Sequence, residues 1–182
     1  MNANALYDFG PVLPIMLLAL LLCLRGTVLL YQGEELGLPH AEVPPEKRRD
    51  PIRNVNRLDS GRDGARTPMP WGGGPNLGFS TGDPWLPAAP EHAALSAQAQ
   101  ADEARAKKIV SGVCFVCHGM EGESSSEVFP RLAGQHAEYI AKQLENFKSG
   151  KRLSSTMVEM VVKLTPDEMV ALGQYFEKKR AH

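Results

Sequence analysis

The sequence has few cysteines, almost no net charge and no apolar run of membrane-spanning length. Its 182 residues include three cysteines, Cys23, Cys114 and Cys117, and the formal net charge is -1 at pH 7. Three cysteines do not make a disulfide framework, and the balanced charge gives no indication of nucleic-acid binding. The main apolar run, residues 11–24, is shorter than the roughly twenty residues that a transmembrane helix needs.

The chain changes character near residue 92. Residues 1–92 hold most of the glycines and prolines, whereas residues 102–180 contain only two prolines, Pro130 and Pro166. The Ala-rich stretch 93–101 is either a linker or the remnant tail of a signal peptide, because Ala99-Gln100-Ala101 has the small-x-small pattern that signal peptidases cut after. We therefore divide the chain into residues 1–92, 93–101 and 102–182.

The two close cysteines carry the strongest chemical signal. Cys114-Phe115-Val116-Cys117-His118 is a C-x-x-C-H pentapeptide, the attachment signal of c-type haem. Two thiols at this spacing span one edge of the macrocycle, and the histidine follows beneath the iron. A zinc site would need two further ligands, with only His136 nearby, and a thioredoxin-type dithiol would need a βαβ setting. We therefore expect one covalent haem c, attached to Cys114 and Cys117, with His118 as an iron ligand.

A methionine sulfur is expected as the second axial ligand, because it raises the potential of the couple. Met157 and Met160 lie at a plausible distance downstream; Met157 is preferred and Met160 is the backup. Met120 is too close to His118 to reach the opposite face of the ring. Met169 falls on the apolar stripe of the last helix and is expected in the core.

Helical patterns surround the haem motif. Thr165-Pro166-Asp167-Glu168 predicts a helix start, with an N-cap threonine, proline at the first position and glutamate three residues on. Apolar residues recur at helical spacing in three stripes: Ala106, Ile109, Val110 and Val113; Ile140, Leu144 and Phe147, ended by Gly150; and Met169, Leu172 and Phe176. A domain of about eighty residues is marginal on core burial alone, so the haem-free form is expected to be poorly folded.

Residues 102–180 resemble the small class I cytochromes c of bacteria, in particular the periplasmic kind whose domains also occur in tandem dihaem proteins. The matching segments are Cys114-x-x-Cys117-His118-Gly119, Phe129-Pro130-x-Leu132-Ala133-Gly134-Gln135, Tyr139 with Gln143-Leu144, Phe147-Lys148-x-Gly150-x-Arg152, Met157-x-x-Met160 and Leu172-x-x-Tyr175-Phe176. The resemblance implies a small all-α domain that transfers electrons. It also implies that Met157 is the axial ligand and that the carbonyl of Pro130 holds the imidazole N–H of His118.

Residues 11–31 allow three interpretations: a membrane anchor, a signal peptide, or a buried helix followed by a buried strand. Arg25 lies well inside the stretch, which argues against an anchor. Asp8 precedes the stretch without any Lys or Arg, which argues against a signal peptide. The third interpretation, a buried helix that encloses Cys23 followed by a strand at residues 27–31, is favoured by the family resemblance that the downstream residues carry.

Residues 15–92 resemble the carboxy-terminal part of the catalytic barrel of α-glucosidases in the α-amylase superfamily, glycoside hydrolase family 13. The motifs are Leu20 to Leu38, Asp50-Pro51, Gly61-Arg62-Asp63-Gly64-x-Arg66-Thr67-Pro68-Met69-Pro70-Trp71, Gly78-Phe79-Ser80 and Pro84-Trp85-Leu86-Pro87. The resemblance implies an incomplete α/β barrel fragment with much irregular structure, loosely packed and with exposed apolar surface. In the family the catalytic carboxylates come from earlier strands, whereas Glu34, Glu35 and Asp63 belong to the loop after the last strand. We therefore expect no glycosidase activity.

The sequence thus predicts a mainly α electron carrier that is not an enzyme. The alternatives are a carbohydrate-active protein and a cytochrome tethered to a membrane through residues 11–31. The glucosidase pattern stops near His92, where the signal-peptide-like tail begins, which indicates a gene fusion. Covalent haem attachment in bacteria is completed outside the cytoplasmic membrane, so a periplasmic location is expected, although the amino terminus carries no convincing signal peptide. Redox proteins are the expected partners, without a specific candidate.

Overall fold

The computed structural model describes residues 12–51, 61–124 and 126–180. The chain divides into two compact units, residues 1–100 and 101–182. The α-helices of the described residues are α1 Val12–Cys23, α2 Ala97–Ile109, α3 Phe115–His118, α4 Ala137–Lys148, α5 Ser155–Val161 and α6 Pro166–Glu177. A π-helical segment, Val110–Cys114, lies between α2 and α3.

The first unit has much irregular structure, as expected from its glycine and proline content. Besides α1 and the start of α2, the described residues of this unit include short 3-10 helices at Glu34–Leu36, Asp63–Ala65, Pro75–Gly78 and Pro90–Leu95. No β-strand occurs anywhere in the described ranges, so the strand predicted at residues 27–31 is not formed. A strand is stable only when it pairs within a sheet, and the described residues offer this segment no partner strand. The α/β character expected of this unit is therefore not observed.

Helix α1 is apolar on all sides, and most of its side chains from Ile15 onward are exposed. Five of them are more than half exposed: Ile15, Met16, Leu17, Leu20 and Leu22. Cys23 is exposed as well, so the prediction of a buried thiol is wrong. The helix contacts the 3-10 turn Glu34–Leu36, and a single short turn cannot cover an apolar helix all round. No helix within the described residues combines the length and the apolarity needed to span a bilayer.

The remainder of the first unit is held by buried carboxylates. Asp50 is 2% exposed and accepts hydrogen bonds from the side-chain Nε of Arg62 at 2.7 Å and from its backbone N–H at 3.0 Å. The carboxylate of Asp63, also 2% exposed, accepts the backbone N–H of Asp50 at 2.9 Å. Charge-assisted bonds of this kind fix a segment that has little regular structure. This segment is therefore packed more tightly than the sequence led us to expect.

The Ala-rich stretch between the two sequence halves is partly helical. Helix α2 begins at Ala97, within residues 93–101, and continues past the boundary between the two units. Alanine has the highest intrinsic helix propensity, so the Ala-rich composition favours a helix at these residues.

The core of the second unit lies mainly between α4 and α6. Met169, Leu172 and Phe176 are buried there, as the apolar stripe predicted. Gly173 permits close approach of the two helices, because a Cβ at this position would collide with the carbonyl oxygen of Ala137. The predicted capping box of α6 is present: the Thr165 hydroxyl accepts the Glu168 N–H, and the Glu168 carboxylate accepts the Thr165 N–H.

Candidate functional site

The two adjacent cysteines lie where the helix geometry changes. The π-helical segment Val110–Cys114 ends at the first cysteine, and α3 then carries the second cysteine and His118. Single turns of π-helix are rare and frequently mark functional sites. Cys114 and Cys117 are three residues apart on helical backbone and therefore lie on the same side of it. Both thiols are partly buried.

The surroundings of Cys114 are apolar. The residue packs against the buried core of the second unit. Burial raises the pKa of its thiol above the ordinary value. Thiols that exchange disulfides or bind zinc are usually found where the thiolate is stabilised. The apolar surroundings of Cys114 therefore do not stabilise a thiolate. Within the described ranges, no group of three or more His, Cys, Asp or Glu side chains is placed to hold a metal ion.

The imidazole of His118 is buried and oriented by a backbone carbonyl. His118 is 7% exposed, and its Nδ1 lies 2.9 Å from the carbonyl oxygen of Pro130. A carbonyl oxygen can only accept, so Nδ1 carries the proton, and in the neutral ring Nε2 keeps its lone pair. The ring of Phe129 packs edge-on against the imidazole, with 6.3 Å between ring centroids. The histidine therefore presents a preoriented nitrogen that can bind a metal.

The loop after His118 is closed by hydrogen bonds that sequence analysis did not anticipate. The backbone N–H of Ser124 donates to the carbonyl of His118 at 2.8 Å, and the Ser124 hydroxyl donates to the carbonyl of Phe129 at 2.7 Å. The hydroxyl of Tyr175 in α6 donates to the carbonyl of Met120 at 3.0 Å. These bonds connect the loop to the segment that supplies Pro130 and to the last helix. No local sequence signal marks Ser124, because its partners depend on the path of the whole loop.

The methionines of the second unit differ in their surroundings. Met157, in α5, is partly buried and packs against the core that also includes Cys114. Met160, in the same helix, is 42% exposed. Met169 is buried in the core, as predicted, and Met120 packs against that core. Met157 and Cys114 therefore both pack against the core of the second unit, whereas Met160 lies mostly outside it.

Ser154 caps the helix that carries Met157. Its hydroxyl oxygen accepts the backbone N–H of Met157 at 3.3 Å, and its backbone carbonyl accepts the N–H of Val158 at 3.0 Å. Ser154 has extended backbone angles, as N-cap residues have. Sequence analysis missed this residue, although a serine directly before a helical stretch is a recognisable start signal.

Glu34, Glu35 and Asp63 are acidic residues of the first unit that could suggest a catalytic role. In the structure their carboxylates accept hydrogen bonds from backbone groups of their own segment. The carboxylate of Glu34 accepts the N–H of Tyr31 at 3.2 Å, and that of Glu35 accepts the N–H of Gly33 at 2.9 Å. Asp63 is buried and accepts the N–H of Asp50. Each of these hydrogen bonds stabilises a local turn or the connection between neighbouring loops.

Comparison with known proteins gives two family matches. Residues 13–110 match the family described as Alpha amylase, catalytic domain, and residues 103–178 match Cytochrome c. A probable alpha-glucosidase of Rhizobium meliloti (strain 1021) is 50% identical over 78 residues, which cover 42% of this chain and 14% of the relative. Cytochrome c4 of Thiocapsa roseopersicina is 46% identical over 77 residues, which cover 42% of this chain and 38% of the relative.

A solved structure is also similar to the chain. The crystal structure of reduced recombinant cytochrome c4 from Pseudomonas stutzeri has 30% sequence identity and a TM-score of 0.41, and the match covers 44% of this chain and 50% of that chain. The chain spans less than half of the length of the curated relatives named above. The two resemblances drawn from the sequence are confirmed by the family matches. The chain therefore belongs to the alpha-amylase catalytic-domain family through residues 13–110, and joins that segment to a match with the cytochrome c family at residues 103–178.

Proposed function

We propose that the chain is an electron carrier whose carboxy-terminal unit holds one covalently bound haem c. The observation that carries this proposal is the arrangement of Cys114, Cys117 and His118 on one helical stretch, with Nδ1 of the histidine bonded to the carbonyl of Pro130. The haem iron, when bound, supplies a reversible one-electron couple. The rest of the function lies in what the protein's own side chains hold and orient.

Cys114 and Cys117 would hold the haem through thioether bonds, and His118 would bind the iron through Nε2. The hydrogen bond to Pro130 fixes the tautomer and the plane of the imidazole, and it makes Nε2 a stronger donor to the metal. Phe129 restricts rotation of the same ring. The histidine therefore needs little reorganisation to act as a ligand.

The surface near these residues fits a large apolar group. Large apolar side chains are exposed on the cysteine-bearing stretch and on the segment around Met157: Val113, Phe115, Val116, Leu153 and Val158. A soluble domain rarely leaves this much apolar surface exposed without a binding role. Coverage by an apolar macrocycle would supply the buried area that a domain of about eighty residues lacks.

Met157 is our proposal for the second axial ligand. It is partly buried against the same core as Cys114, whereas Met160 is 42% exposed. If the thioether of Met157 and the imidazole of His118 both bound the iron, these neutral ligands would favour the ferrous state and so raise the reduction potential. The methionine sulfur would also keep water away from the iron.

We propose a periplasmic site of action, since haem c attachment in bacteria is completed outside the cytoplasmic membrane. Other redox proteins would then be the electron donors and acceptors. We also propose that the alpha-amylase-like segment does not hydrolyse glycosides in this chain. This is supported by Glu34, Glu35 and Asp63, whose carboxylates are engaged by backbone N–H groups.

An absorption spectrum of the full chain tests the proposed function. The chain should be exported in a bacterial host that attaches haem c, purified, and examined by a pyridine haemochrome assay. We expect a c-type spectrum with one haem per chain that is reduced and reoxidised reversibly. A chain that is exported and soluble but contains no haem would overturn the proposal.

Replacement of Ser154 by alanine is expected to weaken the placement of Met157. Loss of an N-cap hydroxyl typically costs about 1 kcal/mol of helix stability, and here the orphaned N–H belongs to Met157 itself. We expect a weaker sulfur-to-iron charge-transfer band and replacement of the methionine by other ligands at a lower pH than in the wild type. The measurement is a pH titration of that band in the ferric protein.

Ser155 gives a matched control for this prediction. Its side chain is exposed and forms no hydrogen bond with the other described residues, so Ser155→Ala should leave the titration unchanged. Ser154→Thr keeps the capping oxygen and should restore the wild-type behaviour. Equal titrations for Ser154→Ala and the wild type would show that the cap does not position the methionine.

A further inference from the structure

Ser124 completes a closed series of hydrogen bonds that begins and ends at His118. The backbone N–H of Ser124 donates to the carbonyl of His118 at 2.8 Å, and the Ser124 hydroxyl lies 2.7 Å from the carbonyl oxygen of Phe129. Phe129 directly precedes Pro130, whose carbonyl oxygen lies 2.9 Å from Nδ1 of His118. One serine side chain therefore connects the backbone of the histidine to the group that orients its imidazole.

The carbonyl of Pro130 depends on its neighbours for its orientation. Proline has no N–H to donate and its ring fixes φ, so the position of its carbonyl follows the orientation of the peptide plane before it. That plane contains the carbonyl of Phe129, to which the Ser124 hydroxyl donates. On the other side of Pro130, the N–H of Leu132 donates to the carbonyl of Gly122 at 2.8 Å. Removal of the Ser124 hydroxyl would therefore release the peptide plane on one side of Pro130 from its side-chain anchor.

The same hydroxyl also bears on the aromatic contact of His118. The ring of Phe129 packs edge-on against the imidazole, with 6.3 Å between ring centroids and 64° between the ring planes. Because Ser124 holds the backbone of Phe129, one hydroxyl influences both groups that restrict the imidazole: a carbonyl oxygen and an aromatic edge.

The backbone conformation of Ser124 is unfavourable for a serine. Its φ is 69°, in the left-handed region that residues with a side chain adopt rarely and that glycine adopts without the steric penalty. The group that serine offers and glycine lacks is the hydroxyl. Strain of this kind persists where the surroundings enforce it, and it is concentrated at functional sites.

A purely local role for the hydroxyl is the alternative. Its oxygen also lies 2.7 Å from the carbonyl oxygen of Ser126, and the single proton of a hydroxyl can serve one of the two carbonyls at a time. If the bond to Ser126 were the important one, Ser124 would stabilise its own turn and have no effect on the imidazole. The two roles predict different results for His118.

We propose that Ser124 is a positioning residue for His118, whose hydroxyl fixes the peptide plane before Pro130 and thereby strengthens the hydrogen bond that Nδ1–H donates to the Pro130 carbonyl. The inference rests on the proposed haem function. A strong bond from Nδ1–H makes Nε2 a more basic ligand, and a more basic ligand stabilises ferric over ferrous iron. Ser124 therefore keeps the reduction potential lower than the same iron ligands would set without it.

Ser124→Gly tests this inference in the full, haem-loaded chain, because it removes the hydroxyl and relieves the backbone strain at the same time. We expect the exchange of the His118 Nδ1–H with solvent to accelerate roughly fivefold, the factor that corresponds to the usual net contribution of one hydrogen bond. We also expect the reduction potential to shift to a more positive value. The measurements are NMR of the ferrous protein with nitrogen-15-labelled histidine, and a spectroelectrochemical titration.

A second exchange rate and two further variants separate positioning from loss of structure. The backbone N–H of Leu132 should exchange in Ser124→Gly as it does in the wild type. Ser126→Ala is the matched control: it removes a hydroxyl of the same loop, which accepts the N–H of Val128 at 3.3 Å, and should change neither readout. Ser124→Asn tolerates the left-handed conformation and keeps a side-chain donor, so it should restore most of the wild-type behaviour.

Three results would overturn the inference while the proposed electron carrier stands. These are unchanged Nδ1–H exchange and potential in haem-loaded Ser124→Gly, equal changes in Ser126→Ala, and an equal acceleration at Leu132, which would assign Ser124 to its own turn. If Ser124→Gly yields too little haem protein, a wild-type Nδ1–H exchange rate and potential in Ser124→Ala would overturn it equally. A pyridine haemochrome assay of the wild type distinguishes the two failures, because absence of haem there contradicts the proposed function itself.

Discussion

Replacement of both Cys114 and Cys117 by alanine is expected to abolish covalent haem. Only these thiols lie three residues apart on the helical stretch that ends in His118, so the double variant has no sulfur left to form a thioether. A denaturing gel stained for haem peroxidase activity should give a band for the wild type and none for the double variant. Each single variant should keep one thioether, with reduced yield and a shifted haemochrome maximum.

Cys23 provides the control for this experiment. It is the remaining cysteine of the chain and is exposed at the end of α1. Cys23→Ala removes a thiol without altering the C-x-x-C-H segment and should leave the haem content unchanged. Haem staining that persists in the Cys114/Cys117 double variant, or disappears in Cys23→Ala, would contradict the assignment.

The same double variant also reports on folding. Cys114 and Met157 pack against the core of the second unit, and several apolar side chains around them are exposed. Without the haem the exposed apolar side chains have no group to pack against. We therefore expect the thermal unfolding of the second unit to lose most of its cooperativity. Far-ultraviolet circular dichroism during heating should show a broad, low-temperature transition. A sharp transition in the haem-free protein would show that the helices are stable alone.

Sequence patterns predicted most of the second unit because its signals are local. The capping box at Thr165 and Glu168 needs only a four-residue motif, and the structure contains it. The burial of Met169 follows from helical periodicity, and it too is confirmed. The contact between His118 and Pro130 was inferred from resemblance, since the two lie twelve positions apart in the sequence and no spacing rule fixes such a contact.

Features that depend on long-range packing were not predictable from the sequence. The bonds of Ser124 depend on the path of the loop between His118 and Pro130, which leaves no local pattern, and no local pattern marked the π-helical turn at Val110–Cys114. For α1 and residues 27–31, the apolar composition indicated burial, but burial requires neighbouring elements. The described part of the chain gives α1 little cover and gives residues 27–31 no partner strand, so Cys23 is exposed and the strand is absent.

The two family matches overlap at residues 103–110, where α2 passes into the π-helical segment. An amylase-like sequence and a cytochrome c-like sequence therefore meet inside a helix and not at a disordered linker.

Replacement of Met157 by alanine is expected to lower the reduction potential of the haem by on the order of 0.1 V or more. A thioether ligand stabilises ferrous iron, and its loss would admit water or another ligand to the iron. The ferric protein should also lose its sulfur-to-iron charge-transfer band. Spectroelectrochemical titration of the purified variant measures both effects on one sample.

Met160 is the matched comparison because it lies in the same helix as Met157. The two differ mainly in exposure: the side chain of Met160 is 42% exposed, whereas that of Met157 is partly buried. Met160→Ala should keep the charge-transfer band and change the potential far less, because removal of an exposed side chain leaves the iron's ligands intact. The reverse pattern, with the band lost only in Met160→Ala, would assign the sulfur to Met160 and require α5 to rotate when haem is bound. Retention of the band in both variants would exclude methionine ligation by this helix.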